Sequence, residues 1–492
     1  MSKWAIALAF LGLISCSDDA GLEIPPPGGE ANEFAEINNF VWSGLNLYYL
    51  WQGDVDDLAD DRFSTQAEYQ AYIQDSPVPE EFFESLIYDR PHTDFFSWIV
   101  DDYVALENQF QGISTSNGVD FGLSRYDSGS SDVFGYVRLI LPNSDASDKN
   151  IKRGDFFIAV DGNPLTVDNY RELLYSDNST YSLTLANLEG NTIVPTGEVV
   201  ELVKSEYTEN PVFKVNVIEE GGKKIGYLHY TFFNGTFERE LNAAFLTLKN
   251  EGVTDLVLDL RYNPGGYGAT ALAMASMITG QFKGEVFGKD EWNDKIQSEL
   301  EAVDPDFLIE KFDDRTRFSN EAINSLNLNK LHVIVSDATA SAGESVINGL
   351  NPYIDVTLIG ELTYGKYTGS YTLYDSPDFG KNGANPDHTY AMQPIVVQSV
   401  NKIGESAKGG FEPDIFQSED ITNMGIIGDS NEPLLRTAIN DIIGVSAKID
   451  AGKIRTFDKV SNYRSQNLFA NELIVDKPEI RKALSKSRKS KN

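Results

Sequence analysis

Apolar residues recur along this chain with two different periods, and the change from one to the other divides it. From Phe34 to about Asn108 the apolar positions Phe40, Trp42, Leu45, Leu47, Tyr48, Leu50 and Trp51, then Phe82, Phe83, Leu86 and Ile87, follow helical spacing. This predicts a small α-helical N-terminal domain over 34–108, with its aromatics in the core. Between 109 and 206 the pattern shortens to strands and turns, with strands at 133–141 and 156–160, the second closed by Asp161-Gly162. From 207 to 445 strands alternate with helices, as in an α/β layer fold. Residues 224–230, 255–260 and 331–335 read as buried strands, and 238–250 and 269–280 as helices. Residues 281–330 are mixed and read as an insertion near the site. Residues 446–492 form an extension whose basic, Ser-rich end, from Lys477, is expected to fray.

The N-terminus stands apart from this body. Lys3, an apolar run from Trp4 to Ile14 and then small polar residues have the layout of a secretory signal peptide, and the run is too short to span a bilayer. Leu13-Ile14-Ser15-Cys16 resembles the lipobox of bacterial lipoproteins, which implies acylation of Cys16 after removal of the segment before it. Cys16 is the single cysteine of the chain, so it has no intramolecular disulfide partner. Ser17-Asp18-Asp19 resembles an acidic surface-export signal. Residues 17–33, with Pro25-Pro26-Pro27-Gly28-Gly29, read as an extended tether. The expected location is the cell envelope, lipid-anchored to a bacterial outer membrane, on its periplasmic or outer face.

Composition excludes more than it selects. With 492 residues, 41% of them hydrophobic, the chain can build several cores and does not read as disordered. A net charge of −35 repels nucleic acid and anionic surfaces, so no nucleic-acid partner is expected.

Three segments carry candidate chemistry. In Val335-Ser336-Asp337-Ala338-Thr339-Ala340-Ser341-Ala342-Gly343-Glu344-Ser345 an apolar strand runs into small residues, with a helix expected from about Ser345. Such a turn exposes the Ser341 hydroxyl and gathers N–H groups, that of Ala342 first, at a helix N-terminus, as an oxyanion hole requires. Asp259-Leu260-Arg261-Tyr262-Asn263-Pro264-Gly265-Gly266 ends a second strand in a glycine pair, which can bring another backbone donor close. Gly360-Glu361-Leu362-Thr363-Tyr364-Gly365-Lys366 places a lysine after a third.

Taken together, these motifs resemble the carboxyl-terminal processing, or tail-specific, serine peptidases over about residues 106–416. The resemblance rests on the order Asp-Leu-Arg-x-Asn-x-Gly-Gly, Ser-Ala-x-Glu and Thr-x-Gly-Lys, with Gly410-Phe411-Glu412-Pro413-Asp414 as a closing segment. It implies a crotonase/ClpP-like catalytic domain over 207–445, with Ser341 as nucleophile, Lys366 as general base, and Ala342 with Gly265 and Gly266 at the oxyanion hole. Residues 109–206 resemble a PDZ domain whose Phe121-Gly122-Leu123 loop would take a peptide C-terminus. The family usually has a Gln four residues after the lysine. Here Ser370 stands there and is the candidate lysine-orienting residue.

The substrates so implied are unfolded or C-terminally exposed polypeptides, with no cofactor. Relatives of the tricorn branch use a histidine, so His229 and His388 are the rival bases to weigh, but a satisfied structural histidine is the preferred reading of each. No histidine pair has metal-ligand spacing. A catalytically silent peptide- or lipid-binding lipoprotein on the same fold is the alternative, and it would have no need of both Ser341 and Lys366.

Overall fold

The computed structural model describes residues 32–189, 192–445, 457–466, 470–477 and 479–484. Cys16, the signal segment and nearly all of the tether lie outside them. Among the described residues no helix is long and apolar enough to cross a membrane.

A six-stranded sheet organises residues 212–416. Its strands run in the order Val212–Glu220, Lys223–Tyr230, Asp255–Asp259, Lys330–Val335, Asp355–Gly360, Ile415–Phe416, and only the first pair is antiparallel. Parallel central strands are covered on both faces, so they read as nearly unbroken apolar runs, and Leu256, Val257 and Leu258 are all fully buried. The helix Glu238–Glu251 turns Leu241, Phe245 and Leu248 onto one face of the sheet and stops at Gly252 in the left-handed conformation. Helix Gly268–Thr279 is apolar on nearly all sides, because it packs against the helix Ala342–Leu350 as well as the shared core.

A second six-stranded sheet shares the core of the first through Phe287 and Leu473. Its order is Gly266–Tyr267, Leu473–Ile474, Thr368–Ser370, Ile395–Asn401, Val286–Trp292, Ile309–Lys311. Residues 281–330, read as an insertion, supply its last two strands and the helix Asp294–Val303. The strand Leu473–Ile474 comes from the C-terminal extension and runs parallel to both of its neighbours.

Helices Ala35–Tyr48, Gln66–Gln74 and Pro79–Ser85 pack by their aromatic faces on this second sheet. The same cluster takes in Ile480, Ala483 and Leu484. Residues 479–484 are therefore docked, where the basic composition from Lys477 onward predicts a frayed segment. Three apolar side chains dock them, and Lys477 bonds Asp290 at 2.6 Å and pairs with Glu310.

Residues 113–208 form antiparallel sheets, the larger ordered Lys459–Asn462, Val119–Arg125, Val133–Ile140, Phe156–Val160, Thr180–Glu189, Thr192–Val203. Its outer strand, Lys459–Asn462, again belongs to the C-terminal extension.

Candidate active site

Three neighbouring parallel strands end at the same edge of the catalytic sheet, and each delivers one motif. Asp255–Asp259 leads to the glycine pair, Lys330–Val335 to Ser341, and Asp355–Gly360 to Lys366. The carboxyl ends of such strands are where open α/β sheets gather their ligands.

The turn at Ser341 is tighter than its small residues alone suggest. The helix starts at Ala342, immediately after the serine and three residues before the position expected from sequence. Ser341 is the residue that absorbs the change of direction, with φ 58° and ψ −114°, a conformation that costs a non-glycine residue about 1–3 kcal/mol. Bonds on both flanks hold it there. Thr339 Oγ1 donates to Leu260 O at 2.8 Å, Ala340 N to Asn263 O at 3.1 Å, and Ser341 N to Glu344 Oε2 at 2.8 Å.

Glu344 fastens Ser341 and Lys366 to one another. Its Oε2 also accepts the Lys366 N–H at 2.9 Å, while Oε1 accepts Gly365 N at 2.7 Å and the Thr363 hydroxyl at 2.5 Å. Among the described residues no cation pairs with it, and burial pushes its pKa up to about 7 against the pull of these four donors. The closing segment holds the lysine loop from outside, with Phe411 N donating to Thr363 Oγ1 at 2.7 Å and Thr363 N to Phe411 O at 3.2 Å.

Ser341 and Lys366 are both buried, and neither Oγ nor Nζ has a hydrogen-bond partner among the described residues. The lysine amine sits 3.2 Å from the centre of the Phe96 ring, a side chain from the N-terminal segment. Burial drives its pKa down to about 8, and the carboxylates of Glu472 and Asp94 limit the fall. At that pKa about a tenth of the amine is neutral at pH 7 and half at pH 8, so deprotonation lies within reach of a mildly alkaline medium.

The glycine pair stands against the serine. A Cβ on Gly265, which has φ 109°, would lie 2.7 Å from Ser341 Cβ and 3.0 Å from its Oγ. Both N–H groups of the pair are committed, Gly265 N to Asn263 Oδ1 at 2.9 Å and Gly266 N to Glu472 O at 2.8 Å. The Ala342 N–H makes no hydrogen bond among the described residues. It stands in the first turn of the helix, where N–H groups have no intrahelical acceptor.

Ser370 does not bond Lys366. Its hydroxyl donates to Glu472 Oε2 at 2.6 Å and accepts from Gln393 Nε2 at 3.0 Å, and it is Glu472 whose carboxylate lies 3.8 Å from Lys366 Nζ. No sequence signal marks Glu472, which is 106 residues beyond the lysine. Glu344 and Asn263 stand inside the quoted motifs, but their roles depend on which donors surround them.

The histidines lie elsewhere. His229 stands 3.4 Å from Asp259, His332 bonds Asp441 at 2.9 Å and His388 bonds Asp375 at 3.0 Å. Among the described contacts none joins a histidine to Ser341.

Phe121, Gly122 and Leu123 lie within a strand, not a loop, because alternation and pairing continue through them. Val133–Ile140 pairs with them on one side, and on the other Gly122 faces Asn462 and Leu123 faces Ser461. The edge to which a peptide would add is thus held by the chain's own residues 459–462. Arg464 fixes that segment, bonding Asp120 at 2.7 Å and Glu209 at 2.8 Å.

The model of peptidase family S41 matches residues 224–415, and that of the peptidase S41 N-terminal domain matches 36–98. A carboxyl-terminal-processing protease of Picosynechococcus sp. is 25% identical over 280 residues, covering 53% of this chain and 61% of that protein. The carboxy-terminal processing protease CtpA of Bacillus subtilis is 28% identical over 169 residues, 34% of this chain and 29% of its own length. The chain thus aligns with less than two thirds of either relative. A Bacteroides fragilis crystal structure described as an S41 protease superposes with TM-score 0.63 at 24% identity, covering 86% of this chain and all of that one, and shows the fold.

Proposed function

This chain belongs to peptidase family S41, and we propose that it is a serine endopeptidase that cleaves unfolded or C-terminally exposed polypeptides through Ser341 and Lys366. The observation that carries this reading is the pairing itself. A strained serine and a lysine with lowered pKa are buried together, tied to one carboxylate oxygen by their own N–H groups. A protein that only binds has no use for that expense of strain and desolvation.

In the proposed reaction, neutral Lys366 takes the proton of Ser341 as Oγ attacks the scissile carbonyl carbon. The Ala342 N–H stabilises the oxygen that becomes negative. Gly265 and Gly266 contribute if substrate exchanges with their present acceptors. Lys366 then returns the proton to the leaving amine, and water resolves the acyl-enzyme by the same route reversed. Because Ser341 and Lys366 are buried, substrate entry includes displacement of the groups packed on them, the Phe96 ring among them.

The sheet over 113–208 serves as the tail-binding, PDZ-like part. A peptide C-terminus adds as a strand beside Phe121, Gly122 and Leu123 by displacing residues 459–462. Acylation of Cys16 anchors the protein in the envelope of a bacterium, with dual or triple acyl chains giving firm attachment at about 0.8 kcal/mol per buried CH₂. Mass spectrometry of the mature N-terminus is expected to find lipid on Cys16, and an unmodified terminus would remove the anchor.

The activity itself is tested by incubating an unfolded protein with the wild-type chain and with Ser341→Ala. Cleavage by the first and none by the second is expected. Equal cleavage by both, or none by either, would overturn the assignment.

A further inference from the structure

The lysine loop holds the Lys366 backbone but leaves its side chain without a hydrogen-bonding partner. The usual Gln is replaced by Ser370, whose hydroxyl points to Glu472. Glu472 is brought there by the C-terminal extension and fixed at both ends. Its backbone oxygen accepts Gly266 N at 2.8 Å, and its residue is followed by the strand Leu473–Ile474, between the glycine-pair strand and the strand that carries Ser370. Its carboxylate is held by Ser370 Oγ, which Gln393 Nε2 braces from behind. Fully buried, it lies 3.8 Å from Lys366 Nζ.

We propose that Glu472 is the positioning residue of Lys366, replacing from the C-terminal extension the group that relatives place four residues after the lysine. The proposal rests on the Ser341–Lys366 reading. Its geometric basis is that a carboxylate clamped at both ends stands at ion-pairing distance, 3.8 Å, from an amine that has no hydrogen-bond partner among the described residues. The other charged groups near the amine do not compete. Asp94 spends its oxygens on Tyr49 Oη, Ser97 Oγ and the N–H groups of Phe96 and Ser97. Glu344 faces the backbone N–H of Lys366, not its amine. The remaining neighbour, the Phe96 ring, excludes water.

The carboxylate also sets when the base is free. Burial favours the neutral amine, and Glu472 favours the ammonium, so its charge opposes desolvation and keeps the lysine from losing its proton too early. Removing the charge but keeping the shape should therefore move the rising limb of the rate profile to lower pH. A residue that only supports the fold would not move it.

The test compares full-length wild type, Glu472→Gln, Glu472→Ala and Lys366→Ala on one fluorogenic unstructured peptide across pH, with thermal melts alongside. Glu472→Ala is expected to lose ~10²-fold in kcat with KM nearly kept, the scale of a misplaced catalytic group. Glu472→Gln should retain part of the activity, since its amide can still bond Ser370, with the rising limb displaced to lower pH. Should the alanine variant fail to fold, the glutamine profile carries the test. A limb that stays in place or moves to higher pH in Glu472→Gln would overturn the proposal. If Lys366→Ala remains active, the base assignment itself fails, which separates the two outcomes.

Discussion

Replacing Glu344 with alanine removes the one group bonded to both halves of the proposed dyad, and two opposing terms fix the size of the effect. Ser341 N–H and Lys366 N–H are buried and lose their acceptor, at about 1–3 kcal/mol each. Thr363 can turn its hydroxyl, and Gly365 is partly open to water. Against this, the variant no longer buries a carboxylate. The rise of the Glu344 pKa from 4.5 to about 7 puts that relief on the order of 3 kcal/mol. The terms nearly cancel, so thermal unfolding should shift by only a few degrees, as about 1 kcal/mol does. Activity has no such compensation, because Ser341 can then relax from φ 58° toward an ordinary helical entry. Peptide cleavage should fall ~10²-fold, as for a reacting group displaced by about 1 Å. Glu344→Gln should fare better. With its oxygen toward Ser341 and Lys366, its amide can donate to Thr363 Oγ1, and only Gly365 N–H is left facing a donor. Rates from a fluorogenic peptide and melts by circular dichroism measure both quantities. Wild-type cleavage by Glu344→Ala, or equal loss in the two variants, would refute the reasoning.

Other outcomes follow from the same geometry. The rate of cleavage should rise through about pH 7 to 8, because Glu344 near 7 and Lys366 near 8 must both lose a proton, and a flat stopped-flow profile over that range would count against both. Gly265→Ala should abolish cleavage, since its Cβ would press on Ser341 and on Glu472 O at 2.8 Å from a positive φ, and wild-type turnover in that variant would be incompatible with the structure. Arg464→Ala should strengthen binding of a peptide with a free C-terminus in fluorescence anisotropy, because it loosens the segment that holds the strand edge. Amidating that peptide should weaken it, and indifference to both changes would count against tail capture.

The sequence made the catalytic sheet legible because its strands are central and parallel. Asp255–Asp259 and Lys330–Val335 are covered on both faces, so burial alone writes them as apolar runs. The turn at Ser341 was readable for a related reason, since short side chains fill the stretch between Val335 and the helix at Ala342. What sequence concealed lies where distant segments meet. Composition made the last residues look like a loose tail, whereas Ile480, Ala483 and Leu484 reach a core formed by the N-terminal helices. Phe121-Gly122-Leu123 reads as a loop by its glycine, yet pairing on both sides makes it strand. Ser370 resembled a shortened substitute for glutamine, and its partner Glu472 follows from chain topology that no local pattern encodes.

The central claim is that Ser341 and Lys366 act as one catalytic unit, and a comparison of single and double replacements measures it most directly. Single-turnover cleavage of an unfolded polypeptide would be followed for Ser341→Ala, Lys366→Ala and the double variant, with His229→Ala and His388→Ala beside them. Nucleophile and base that work together should each cost nearly as much alone as both do combined, while the histidine variants keep most of the rate. Persisting cleavage in Lys366→Ala together with loss in a histidine variant would contradict the account.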